Sequence, residues 1–431
     1  MKNHALLGLL SCSLFAVACG TTSVEPAPVT APAATDPAPA EAPPAEPPAP
    51  PLDHGAPSET YPAFTPAMGQ LKHNGGSVLK NPVIVTVTWP GDDRVDQLEA
   101  FGDTVGAGQY WKDVTSEYAV AAAVSGDAHH VRLTDPAPAS MSDTELAAFV
   151  NANVAKTEGG WPKPSGDVVY ILYLPKTTSL ILQGQSACAQ GVGGYHDSTK
   201  VNGVSTAYAI VPRCGSGFDH VTVAASHELG EAVTDPYPRS RPAWSGFREQ
   251  DLAWEFFQQF QSENGDACEF YRDSDLAAGE SDVAFSVQRQ WSNASAKGGH
   301  DPCVPVFKGE KYFNVTPLAL DDIDVDLSSL GGDITTSKGI KVKVGETRQI
   351  PLGFYSDGAL GPWTIKAVSG GIAGRSSGGL DLELDVTEGQ NGQKAYLTIT
   401  VNTAGKTNSE LVTLVSTRSG ISHYMPLLIG R

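Results

Sequence analysis

Basic side chains are scarce in this chain. Against 48 aspartates and glutamates stand 29 lysines and arginines over 431 residues, a formal charge of −19. A nucleic-acid binder needs clustered Lys and Arg to displace phosphate counterions, and a polybasic membrane-surface protein needs them for anionic headgroups, so both classes are excluded. Beyond the N-terminus no run reaches 18 apolar residues, so no transmembrane helix is expected. There is no GxGxxG or P-loop sequence. Ser226 immediately precedes His227 and cannot face it as a triad serine. What is present is ordinary globular material, 41% apolar and 18% charged, long enough for two or three domains.

The first residues read as a targeting signal. Met1-Lys-Asn-His4 is a short basic start, followed by an apolar run from Ala5 to Ala18 and then Cys19-Gly20. Small residues before a cysteine have the layout of a lipobox, with Ala16 in place of the usual leucine, and predict a signal peptide over residues 1–19 lipidated at Cys19. Ordinary cleavage after Ala18 is the competing reading. A membrane attachment through this lipid, at the outer membrane or cell surface, is the expected localisation. Between Pro26 and Pro51, 11 of 26 residues are proline, and residues 20–67 read as a disordered, extended Pro/Ala-rich tether with nothing to bury.

Cys188, Cys214, Cys268 and Cys303 remain once Cys12 and Cys19 are set aside. An even count in an exported chain predicts two disulfides in one of three connectivities, sequential pairing being the simplest. A zinc-thiolate site competes, but the sequence contains no CxxC pair.

Residues 68–307 read as mixed α/β. Val83–Trp89 alternates and is β-branched, 167–174 is a near-continuous apolar run, and Thr206–Val211 is a third strand. Helical character covers Asp93–Asp113, Ser142–Lys156 with an N-cap serine, and Asp219–Val233. From about Tyr312 the pattern changes to short alternating runs (340–344, 347–352, 380–386, 394–401, 410–417 and 424–429) separated by turn signals. These predict an all-β, immunoglobulin-like sandwich over residues 312–431. With no cysteine and His423 as its one histidine, this module is expected to act as a spacer or as a carbohydrate- or protein-binding unit.

The chemistry-bearing motif is Ala225-Ser-His-Glu-Leu-Gly-Glu-Ala-Val-Thr-Asp-Pro236. On a helix His227 and Glu231 share a face and can grip one metal ion. Glu228 is offset as the general base is in HExxH zinc enzymes, where it takes a proton from the attacking water while the metal polarises the scissile carbonyl. Glu231 stands where a second histidine would, adding negative charge and lowering the metal's Lewis acidity. Asp235-Pro236 predicts the helix end, because the residue before proline is pushed out of the α region. Gly230 costs about 1 kcal/mol relative to alanine inside a helix and predicts a close approach to the backbone there. Ser262-Glu-Asn-Gly-Asp-Ala-Cys268 offers a third ligand: Glu263, with Asp266 holding the other ring nitrogen of His227, or the two exchanged. His196 is a further candidate, though a strand-end or loop histidine is its simpler reading. HExxE also arises by chance on solvated amphipathic helices.

The pattern HELGEAVTDP followed by ENGDAC resembles the exordium, or phosphate-induced, family of secreted proteins, whose bacterial members have similar HELxExxTDP and ExGDxC elements. Further matches are His73–Leu79 leading into the Val83 strand, Tyr110-Trp111 with Thr115–Tyr118, Gly194-Tyr-His196, Tyr208–Cys214 and Gln290–Asn293. The likeness runs from about Lys72 to Cys303, with a longer segment at 238–261. It implies a zincin-like fold for residues 68–307, the pairs Cys188–Cys214 and Cys268–Cys303, and a link to the cell wall or extracellular matrix. Two functions follow as expectations. The first is a zinc hydrolase acting on peptide bonds, with His227, Glu231 and Glu263 or Asp266 as ligands and Glu228 as base. The second is a non-catalytic surface protein that binds wall polysaccharide or a partner, its metal structural or absent. Calcium in place of zinc is favoured by the carboxylates and disfavoured by His227.

Overall fold

In the computed structural model, residues 51–431 are described except 216, 261, 272, 372–378 and 404–406. The expected signal peptide, Cys19 and the tether up to residue 50 lie outside the described residues. The β-branched run becomes strand β1 (Val83–Thr88), joined by β2 (His130–Arg132), β3 (Val168–Leu174), β4 (Tyr195–Val201) and β5 (Val204–Pro212). The sheet order is β2-β1-β3-β5-β4; the first four strands are parallel and β4 runs antiparallel at the edge. β3 is buried along its whole length, which is why it reads as a continuous apolar run. The β4–β5 hairpin turns at Asn202-Gly203, both at positive φ, the two-residue turn whose twist matches the strands.

Helices cover both faces of this sheet. The expected helix over Asp93–Asp113 is two, α1 (Val95–Val105) and α2 (Gln109–Thr115), interrupted where Gly106 and Gly108 weaken helical preference. They pack with α4 (Phe218–Thr234) on the face made by Ile84, Val169, Ile171 and Ala209. On the other face α3 (Asp143–Lys156) buries Leu146, Val150 and Val154 against Val85, Tyr170 and Ile210. The α3 N-terminus carries a capping box: Ser142 accepts from the Glu145 amide, and Glu145 accepts from the Ser142 amide at 2.8 Å.

The C-terminal part is a two-sheet sandwich. One sheet has the order Phe313–Pro317, Thr347–Ser356, Lys394–Val401, Leu380–Leu384. The other runs Asp321–Asp326, Ile334–Lys341, Ile421–Gly430, Ser409–Arg418, Trp363–Ser369, Glu388–Gly389. Strict alternation of buried and half-buried residues along Lys394–Val401 is the period-2 signal of a strand with one face in the core. The run expected at 340–344 is instead the tail of the strand Ile334–Lys341. The strands Phe313–Pro317, Asp321–Asp326 and Trp363–Ser369 add to those read from the pattern. Over the described chain, strands outnumber helices.

The five-stranded sheet keeps its own clusters on its two faces, but the sandwich core extends back across the boundary at 307–312. Met68, Leu71, Trp254, Cys268, Trp291 and Cys303 belong to one hydrophobic cluster with Phe354, Trp363, Leu397 and Met425 of both sandwich sheets. The long segment at 238–261 builds this joint. Trp244–Phe247 pairs with Leu71–His73, and α5 (Leu252–Phe257) places Trp254 against Phe247 and Trp291. The last part of the expected tether is also held. The Lys394 and Ala67 amides donate to His54 O and Thr316 Oγ1, and the Asn391 side-chain amide donates to Ser58 O at 2.7 Å and Thr60 O at 2.9 Å. Backbone so engaged is not free tether, so residues 54–67 fall outside the tether expected over 20–67.

Candidate metal centre

α4 stops at Thr234, with Asp235 as its C-cap ahead of Pro236. Its i, i+4 spacing places His227 Nε2 3.2 Å from Glu231 Oε1. The acidic loop, leading into the short helix α6 (Asp266–Glu269), arrives on the same spot. The Asp266 amide donates to Glu231 Oε1 at 2.9 Å, and Asp266 Oδ1 lies 3.7 Å from His227 Nε2. One ligand atom from each of His227, Glu231 and Asp266 falls within 4.8 Å of the others. Glu263 turns elsewhere, its Oε2 3.6 Å from His196 Nε2.

Two glycines let these pieces meet. A Cβ on Gly265 would lie 2.8 Å from Glu231 Oε1 and 2.9 Å from His227 Nδ1. A Cβ on Gly230 would lie 2.1 Å from the Gln290 amide, which is the close approach the sequence pointed to. Gln290 donates to Ser226 O and accepts from Asn264 Nδ2, both at 2.8 Å, while Thr234 Oγ1 donates to Asn264 Oδ1 at 3.1 Å. The loop is thereby stitched to both ends of the ligand-bearing turn. The disulfide Cys268–Cys303 fixes it two residues after Asp266, and Cys188–Cys214 is the second bond. Two disulfides indicate folding in an oxidising, extracellular-type environment. No helix among the described residues is long and apolar enough to cross a membrane.

The other ring nitrogen of His227 is not held by Glu263 or Asp266, as expected, but by Gln288. His227 Nδ1 is 2.9 Å from Gln288 Oε1, and Gln288 Nε2 donates to Gly265 O at 2.8 Å. A carbonyl oxygen can only accept, so Gly265 fixes the amide orientation. The amide oxygen then makes Nδ1 the protonated nitrogen and leaves Nε2 facing the carboxylates. Gln288 escaped the sequence reading because it belongs to no spacing pattern with His227; its one signal is a polar residue in a short buried strand, Val287–Gln288.

His196 stands at the start of β4, as a strand-end histidine, and its ring lies against the cluster. Its Nε2 is 3.2 Å from Asp235 O, while its Nδ1 lies 3.5 Å from Glu228 Oε2 and 3.4 Å from Glu231 Oε2. Burial works against charge on both imidazoles, but the surrounding carboxylates outweigh it and hold His196 and His227 well above their usual range. Burial raises Glu228, Glu263 and Asp266, the last to about 7. Glu231 is depressed: both imidazoles beside it overcome its burial.

The cluster opens to a cleft of about 640 Å³ lined also by Gly193, His220, Arg239 and Phe270. Within the cluster four carboxylates (Glu228, Glu231, Glu263 and Asp266) stand against the two imidazoles of His196 and His227, and Glu263 Oε1 is buried without a hydrogen-bond partner. Buried charges cost on the order of several kcal/mol each unless a counter-charge compensates them. Imidazole nitrogen with carboxylate oxygen is a donor set that zinc accepts. The residues therefore fit a divalent cation.

No family model matches the chain, and no curated protein is significantly similar to it. Among solved structures, 27% of this chain aligns with 94% of a chain from a titin M10–obscurin-like 1 Ig mutant complex, at 13% identity and a TM-score of 0.15. A score that low relates neither the folds nor the functions.

Proposed function

We propose that this is an exported, lipid-anchored zinc hydrolase of exordium-like type that acts on peptide bonds. Its helix-bearing part would be zincin-like, and its C-terminal part an immunoglobulin-like stalk or binding module. His227 Nε2, Glu231 and Asp266 would hold the zinc. The supporting observation is the arrival of the acidic loop on the helix, with Asp266 Oδ1 3.7 Å from His227 Nε2. When bound, zinc would polarise the scissile carbonyl and stabilise the charge developing on its oxygen.

The remaining chemistry belongs to side chains. Glu228 is buried, and burial lifts its carboxyl toward the range in which a general base works near neutral pH. It would take the proton of the attacking water and deliver it to the leaving amine.

A carboxylate-rich donor set also supports the second reading, a wall- or partner-binding surface protein with a structural metal, since added negative charge weakens Lewis acidity. Elemental analysis of the dialysed protein together with a peptide-library digest separates the two. A hydrolase retains zinc and cleaves peptides, and Glu228→Gln abolishes cleavage while keeping the metal. Cleavage of equal rate by Glu228→Gln removes the assigned base, and metal without any cleavage leaves the binding protein.

A further inference from the structure

Glu231 has two oxygens, and they face different imidazoles. Oε1 lies 3.2 Å from His227 Nε2, and Oε2 lies 3.4 Å from His196 Nδ1. On the Oε2 side, His196, Glu228 and Glu231 again bring one ligand atom each within 4.8 Å of the others. We infer a second divalent-cation position there, formed by His196 Nδ1, Glu228 and Glu231 Oε2, so that Glu231 bridges two neighbouring cations. The inference rests on the proposed reading of the first position at His227, Glu231 and Asp266.

Three observations carry it. First, His196 is prepared as His227 is: one ring nitrogen faces a carbonyl oxygen, Asp235 O at 3.2 Å, and must be the protonated one, leaving Nδ1 toward the carboxylates. Second, the side chains of His196, Glu228 and Glu231 are only 4%, 6% and 3% exposed, so solvent does little to screen the carboxylates from each other. Third, Glu263 reaches the same ring from the other side, 3.6 Å from Nε2, and its buried Oε1 has no hydrogen-bond partner. Imidazole with carboxylates suits zinc or manganese.

The second position uses Glu228, the assigned base. A carboxylate that donates its electron pair to a cation cannot also accept the proton of the attacking water, so filling this position suppresses hydrolysis. Low zinc would activate and high zinc would inhibit.

Equilibrium dialysis of the full chain against increasing zinc, followed by elemental analysis, reads the stoichiometry. The expected result is two zinc ions per chain at saturation, one in His196→Ala, one in Asp266→Asn and none tightly bound in Glu231→Gln. One ion in the wild type and one in His196→Ala overturns the second position while leaving the first. Two ions in His196→Ala also overturns it, placing the extra ion elsewhere. No bound ion removes the first position as well. If His196→Ala does not fold, the manganese-loaded wild type gives the answer by electron paramagnetic resonance. A carboxylate-bridged pair gives an exchange-coupled spectrum, and only isolated-ion lines overturn the bridge.

Discussion

Replacing Gln288 by leucine removes one side chain that serves two groups at once. Gln288 is 3% exposed; its oxygen accepts from His227 Nδ1 and its nitrogen donates to Gly265 O. Leucine is of similar size but strands both partners in a buried position. A stranded buried donor or acceptor costs about 1–3 kcal/mol, so the substitution should destabilise the protein by about 2–6 kcal/mol. The imidazole also loses the hydrogen bond that selects its tautomer, which should weaken zinc by about 10–100-fold. Gln288→Glu separates the two effects. A carboxylate still accepts from Nδ1, so zinc affinity should be largely kept, but it cannot donate to Gly265 O, so stability should still fall. Chemical denaturation and zinc competition against a chromophoric chelator are the assays. Zinc affinity in Gln288→Leu within twofold of wild type, with its fold intact, would refute the assigned orientation of His227.

Gly230→Ala should lower stability although helix propensity alone promises a gain of about 1 kcal/mol. The new Cβ meets the Gln290 amide at 2.1 Å and displaces its two hydrogen bonds, and a raised Tm would contradict this packing. Cys268→Ser with Cys303→Ser opens a loop with a sequence separation of 35 and should cost about 4 kcal/mol in denaturation, with zinc affinity falling as the acidic loop loosens. Trp254→Ala should cost about 3–5 kcal/mol and unfold in one transition with the sandwich, because both share a core; two separate transitions in the wild type would count against that. His423 is buried against Tyr312 and Phe313, and burial holds its imidazole below the usual range against the pull of Asp301 and Asp273. A depressed imidazole binds fewer protons folded than unfolded. Its contribution is therefore full above the unfolded value of about 6.5 and is lost as pH falls toward the folded one. Wild-type Tm should drop more steeply between pH 7 and pH 5 than that of His423→Phe, and parallel slopes would refute this.

Local pattern was a reliable guide wherever the physics is local. The i, i+4 geometry of His227 and Glu231, the N-cap at Ser142, the helix stop before Pro236 and the alternation of Lys394–Val401 all depend on neighbours within a few residues, and each was legible. The break between α1 and α2 shows the limit: the helical pattern ran across Gly106–Gly108, where backbone entropy decided. The anchoring of residues 54–67 to the sandwich was equally hidden, because a proline-rich composition says nothing about partners more than 300 residues away.

The sequence by itself determined that one helical turn carries an imidazole and two carboxylates, that an acidic loop before a cysteine follows, and that a β-rich module closes the chain. Only the tertiary structure decided between Asp266 and Glu263 beside His227, brought in His196 from an edge strand, and chose Gln288 as the hydrogen-bond partner of His227. These choices are made through space: His227 and Gln288 are 61 residues apart, and Asp266 and Glu231 are 35 apart. Periodicity along a chain records which face a residue occupies, whereas the partner on the opposite side depends on how distant segments close over it.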